Sequence, residues 1–138
     1  MGRIAVLGVL VAVVPAQAQT LSELANGRIC AVSLDGKRSG VLVFEQGGAA
    51  LNVHVYRSEN GDLYKQMKAN PDGGSIKRIA QQMQDQGVHP VATYGNRLKF
   101  TNGLGAYPDL ALSSDGTKLT GKATTTTFPV TFDGFCVK

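Results

Sequence analysis

The chain predicts a mainly all-β fold: an antiparallel meander of eight or nine strands closing into a small barrel. Three observations carry this. Apolar and polar residues alternate in short runs, Gly-, Asn- and Asp-containing turns punctuate those runs, and the only two cysteines stand near the two ends of the pattern. One break in the period, near 75–86, reads as a short helix.

Residues 1–18 read as a signal peptide. Arg3 is the lone charge, Ile4–Val14 runs without charge, and Pro15 precedes the small-residue site Ala16-Gln17-Ala18. The run is shorter than the roughly 20 apolar residues a membrane span needs, so cleavage would leave no stable span. The expected domain is 19–138, periplasmic or secreted, and long enough to bury one core. Without Arg3, thirteen basic residues face ten acidic ones, scattered along the chain. A surplus of that size and distribution excludes a nucleic-acid footprint.

Within 19–138, Leu21–Ala25 is a helical or irregular lead-in. Cys30, Val32 and Leu34 share one side of a strand, and Asp35–Gly40 reads as a turn. Val41–Phe44 is apolar in both phases, as expected of a strand covered on both faces. After Gly47-Gly48, Leu51, Val53 and Val55 alternate with Asn52, His54 and Tyr56, the clearest single strand of the chain. Asn60-Gly61 signals a hairpin, with Leu63–Met67 as its returning strand.

Ile76, Ile79, Ala80 and Met83 then follow helical spacing, with Ser75 as N-cap and Gly87 as stop. Strands resume at Val88–Tyr94, at Arg97–Phe100, on either side of Asp115-Gly116, and at Phe128–Phe132. Leu51, Val53, Val55, Leu98, Phe100, Leu110, Leu112, Leu119, Phe128, Val130 and Phe132 should share the core, and Asn52, His54 and Tyr56 should face outward. Closure of the meander makes its first and last strands neighbours. Cys30 and Cys136 are then expected to form a disulfide across the seam, in keeping with an oxidising compartment.

The segment Leu98–Phe100, Leu110–Gly121 and Phe128–Phe132, with its Asp-Gly turn and Leu-Thr-Gly strand, resembles the closing strands of calycin-like (lipocalin-like) exported bacterial barrels. Gly27–Leu34 is similar to the opening of small periplasmic barrels that inhibit proteases. The first resemblance implies a binding or accessory domain for a small apolar molecule or envelope component. The second implies an inhibitor of a hydrolase, such as a protease or lysozyme; small size, a disulfide and missing catalytic groups suit that reading, with contact through an exposed strand or a loop such as Thr101–Tyr107.

No catalytic residue is assigned. His54 and His89 are the only histidines, each reads as strand surface, and no nucleophile–base spacing accompanies them. The Asp-containing turns offer too few oxygen ligands for calcium, and the cysteines lack metal spacing, so no metal or cofactor is expected. The inward row is bulky, dominated by Leu, Val, Phe and Met, so a filled core is expected ahead of a ligand cavity. A cavity lined by Leu51, Val53, Phe100 and Leu112 would favour ligand binding, while a filled interior would count against it.

Overall fold

The computed structural model describes residues 19–138. The expected signal peptide lies outside the described residues. Period-two runs become strands because alternation buries one face of each against the same interior. They are β1 (Ile29–Leu34), β2 (Arg38–Gly47), β3 (Ala50–Ser58), β4 (Gln84–Tyr94), β5 (Arg97–Lys99), β6 (Tyr107–Leu112), β7 (Lys118–Thr124) and β8 (Val130–Val137). Each pairs antiparallel with its neighbours in the chain, and β8 returns to β1, giving a closed eight-stranded barrel.

The seam is tightly made. Cys30 and Cys136 are direct partners across β1 and β8, and they form the disulfide. Two residues away, Val32 faces Gly134. A Cβ at position 134 would lie 2.1 Å from the Ala31 carbonyl oxygen, so only glycine permits this approach. The interior holds Val32, Leu42, Phe44, Val53, Leu98, Leu110 and Leu119, all buried, with the Phe44 and Phe100 rings edge to face at 6.4 Å.

A short helix, α1 (Leu21–Ala25), closes one end. Thr20 caps it and exchanges hydrogen bonds with Glu23, a reciprocal capping box. Leu21, Leu24 and Ala25 pack against the interior core beside the turns at Gly95-Asn96 and Ser113-Ser114.

Two further helices, α2 (Asp62–Ala69) and α3 (Gly73–Ala80), lie between β3 and β4 in the chain. They cover the outside of the barrel, where Leu63, Met67, Ile76, Ala80 and Met83 meet Ile29, Ala31 and Val41 in a second core. This accounts for the strand that is apolar in both phases: Leu42 and Phe44 face the interior, while Val41 packs beneath the helices.

Several expectations need correction here. Leu63–Met67 is helical, not the return of a hairpin. The outer faces of β1 and β2 are apolar, and Leu63 and Met67, four residues apart, present one helical stripe to them. The buried Ser39 hydroxyl fixes the start of this helix, donating to the Asn60 carbonyl (2.8 Å) and accepting from the Tyr64 N–H (2.9 Å). The second outer helix spans 73–80 rather than 75–86: Asp72, not Ser75, is its N-cap, and β4 already begins at Gln84. Gly87 does not stop that helix and instead lies within β4. The first turn is shorter than Asp35–Gly40, since β2 already begins at Arg38. Phe128 is 64% exposed in the β7–β8 loop, whereas Val130 and Phe132 pack on the core as expected.

Candidate functional site

At the end opposite α1 the barrel is open, and its mouth holds a cavity of about 200 Å³. Strand alternation determines what reaches it. Leu34 faces the interior and pairs with Arg38; Val32 faces the interior and pairs with Gly40, which in turn pairs with Arg57. Directly paired residues share a face, so Arg38 and Arg57 both point inward at the mouth, and both line the cavity. Their side chains are only 26% and 29% exposed. Arg38 reaches Asp35 at 3.4 Å and Arg57 pairs with Glu59, both carboxylates lying outside the cavity wall.

The fourth strand supplies a third polar group through a bulge. His54 pairs with Val88 and Tyr56 with Asp85, so Val55 faces two residues, Gln86 and Gly87. The extra residue needs positive φ, and Gly87 adopts it at 88°. The bulge brings Gln86 beside Val55 in the cavity wall. Its Nε2 is buried and, among the described residues, has no hydrogen-bond partner. Phe100, Val130 and Phe132 supply apolar walls, and the loops after β5 and β7 form the rim through Asn102, Leu104, Thr125 and Thr126. The β1–β2 turn is tied to this rim by Asp35, whose Oδ1 accepts from the Thr131 N–H at 2.7 Å.

The two histidines are more engaged than strand surface would require. His54 lies opposite the Leu/Val face, as expected, but its Nε2 is 2.7 Å from Asp85 Oδ1 and its Nδ1 is 3.1 Å from the Tyr56 hydroxyl. The His54 and Tyr56 rings stack at 4.3 Å. The Gly87 N–H, followed by His54, holds the Asp85 carboxyl below its usual range, while burial and then Asp85 push the Tyr56 hydroxyl up. Both ring nitrogens of His54 are therefore occupied by protein groups. His89 pairs with the interior-facing Val53, so it lies on the inner side of its strand and is half-buried. Its Nε2 contacts the Gln86 carbonyl at 2.7 Å and braces the bulge.

Of the four residues named as a prospective cavity lining, Phe100 lines the cavity, while Leu51, Val53 and Leu112 belong to the filled part of the interior. The barrel is thus solid towards α1 and hollow at the mouth. Sequence reading missed Arg38, Arg57 and Gln86. Phase was the available signal for the first: Arg38 and Gly40 keep step with Leu42.

Among the described residues no group of three or more His, Cys, Asp or Glu side chains is placed to hold a metal, and no helix is long and apolar enough to cross a membrane. Fold and mouth together define a small closed barrel with one plugged end and one hollow end. No protein-family model matches the chain, and neither the curated proteins nor the solved structures give a match.

Proposed function

We propose that this chain is an exported, non-catalytic binding or accessory domain of calycin-like fold that takes a small molecule, free or part of an envelope component, into the barrel mouth. The observation that carries this is the cavity of about 200 Å³ between a filled core and open solvent. An eight-stranded barrel has room either for side chains alone or for side chains and one small ligand. Here the second arrangement is supported, because the inward residues at the mouth are held around a hollow by three separate loops. Export is supported by the hydrophobic leader and by the Cys30–Cys136 bond, which suits an oxidising compartment. A non-catalytic role is supported by the cavity wall, which among the described residues carries no histidine, cysteine or carboxylate, and by His89, which is spent on the bulge.

Calorimetric titration of the purified, oxidised protein with compact apolar compounds tests the proposal. Saturable one-to-one binding that is abolished by filling the mouth, as in Ala123→Phe, is expected. Binding that survives such a filled mouth would count against it.

Inhibition of a hydrolase is a second reading, favoured by Leu104 and Phe128, which are 66% and 64% exposed on the rim loops. A panel of proteases and lysozymes incubated with the protein tests it, and absence of inhibition removes it.

A further inference from the structure

We propose that the mouth is selective for an anionic amphiphile of the carboxylate class, its compact apolar body lying against Phe100 and Phe132 and its head group held by Arg38, Arg57 and Gln86. The inference rests on the reading of the mouth as a binding site and adds the chemistry of what enters it.

The charge of the wall is one-sided. Two guanidiniums line the cavity and no carboxylate does. Guanidinium has five N–H donors and no acceptor, and Arg38 and Arg57 each give one nitrogen to a single carboxylate partner. Those partners sit outside the wall, and Glu59 is 75% exposed. Exposed ion pairs of that kind contribute little, so a ligand carboxylate can compete for the same donors in a drier place, where a planar two-oxygen acceptor matches the guanidinium fork.

Gln86 points to the same head group by an independent route. A buried amide nitrogen without an acceptor is costly to leave unmet, and the bulge that places it has its own supports in Gly87 and His89. A ligand oxygen beside Val55 would satisfy it. A hydrocarbon without an acceptor would leave it unmet.

Size limits the body of the ligand. A dry cavity of about 150 Å³ takes benzene, so one of about 200 Å³ takes a ring with a short tether, the head lying at the mouth beside the arginines. 3-Phenylpropionate and its neutral counterpart 3-phenylpropanol are matched probes of this description, and phenethylphosphonate separates carboxylate from phosphonate.

Calorimetric titration of the oxidised protein with the three probes tests the inference. 3-Phenylpropionate should bind at least about tenfold more tightly than 3-phenylpropanol, since hydrogen bonds to a charged group are the stronger kind. It should also bind more tightly than the phosphonate, whose bulkier three-oxygen head needs more room in a cavity of about 200 Å³. In Arg57→Gln and Gln86→Glu the binding of 3-phenylpropionate should weaken by more than that of the alcohol, so that the carboxylate advantage shrinks; circular dichroism and thiol titration check that both variants fold and keep the disulfide. Equal affinity for acid and alcohol in the unaltered protein would overturn the carboxylate inference and leave the mouth as a binding site. Binding of none of the probes would overturn both. Tighter binding of the phosphonate would overturn the assignment to carboxylates.

Discussion

His89 Nε2 lies 2.7 Å from the carbonyl oxygen of Gln86, three residues back along the same strand. That contact closes the β4 bulge from the inside, while the Gly87 N–H closes it from the outside by donating to Asp85 Oδ1 at 2.8 Å. The bulge is therefore held on both faces, which keeps Gln86 in the cavity wall. His89→Ala should lower stability by about 1 kcal/mol, the usual net value of one hydrogen bond, and speed amide exchange at Gln86 and Gly87. Chemical denaturation and hydrogen exchange measure both. Unchanged exchange at those two amides would mean that the histidine does not brace the bulge.

The disulfide should be complete in protein purified without reductant. Cys30 and Cys136 are buried cross-strand partners with their Cα atoms 4.0 Å apart, and the bond encloses a sequence separation of 106 residues. Thiol titration of the denatured, unreduced protein should find no free thiol. Replacing both cysteines by alanine should cost about 2–5 kcal/mol, the range seen when small secreted domains lose a native disulfide. Two titratable thiols would contradict the closed seam.

Phe100 and Phe128 should respond in opposite ways to truncation. Phe100 is buried against Phe44, whereas Phe128 is largely exposed in its loop. Phe100→Ala should cost about 3–5 kcal/mol, and Phe128→Ala should stay within about 0.5 kcal/mol. Urea unfolding of the two variants decides it. A larger loss at Phe128 would mean that the β7–β8 loop packs differently.

Acid should weaken the fold through carboxylates such as Asp115. The Thr117 and Ser113 hydroxyls and the Thr117 N–H hold its carboxyl down at about 2, from an ordinary 3.8. The folded value is the lower one, so this contribution is fully present above 3.8 and is lost as pH falls towards 2. Asp85 and Asp109 are lowered as well and act in the same direction. Asp115→Asn should therefore flatten the acid limb of stability against pH between about 4 and 2. Thermal unfolding followed across that range would show it, and an unchanged limb would deny Asp115 a part in acid unfolding.

Much of the barrel was legible because alternation and turn chemistry are local. Leu51, Val53 and Val55 could be assigned to one face without knowledge of any partner, and Gly95-Asn96 and Asp115-Gly116 turn where their chemistry says they should. The first outer helix was not legible, since Leu63 and Met67 suit either a short strand or one helical turn. The choice between them is made by the apolar outer face of β1 and β2, which is distant in sequence. The site was hidden for a related reason. Gln86 reaches the wall only through a bulge, whose position depends on the register of β3 against β4. Arg38 was obscured by the neighbouring Asp35-Gly36 turn, although its phase with Leu42 already placed it inside. Phe128 keeps phase with Val130 and so reads as part of the last strand, yet the chain is still in its loop there, with the Thr125 hydroxyl donating to the Phe128 carbonyl at 2.6 Å.

The central claim is that the barrel mouth receives a small molecule. Its most direct test is a methyl-resolved NMR titration of the oxidised protein with 3-phenylpropanol, a neutral probe that asks only whether the hollow is used. Saturable shifts are expected at Leu34, Val55 and Val130, which line the cavity, with Leu112 at the plugged end unmoved. Shifts spread evenly over the surface, or none at these methyls at saturating concentrations of both this alcohol and 3-phenylpropionate, would contradict the account.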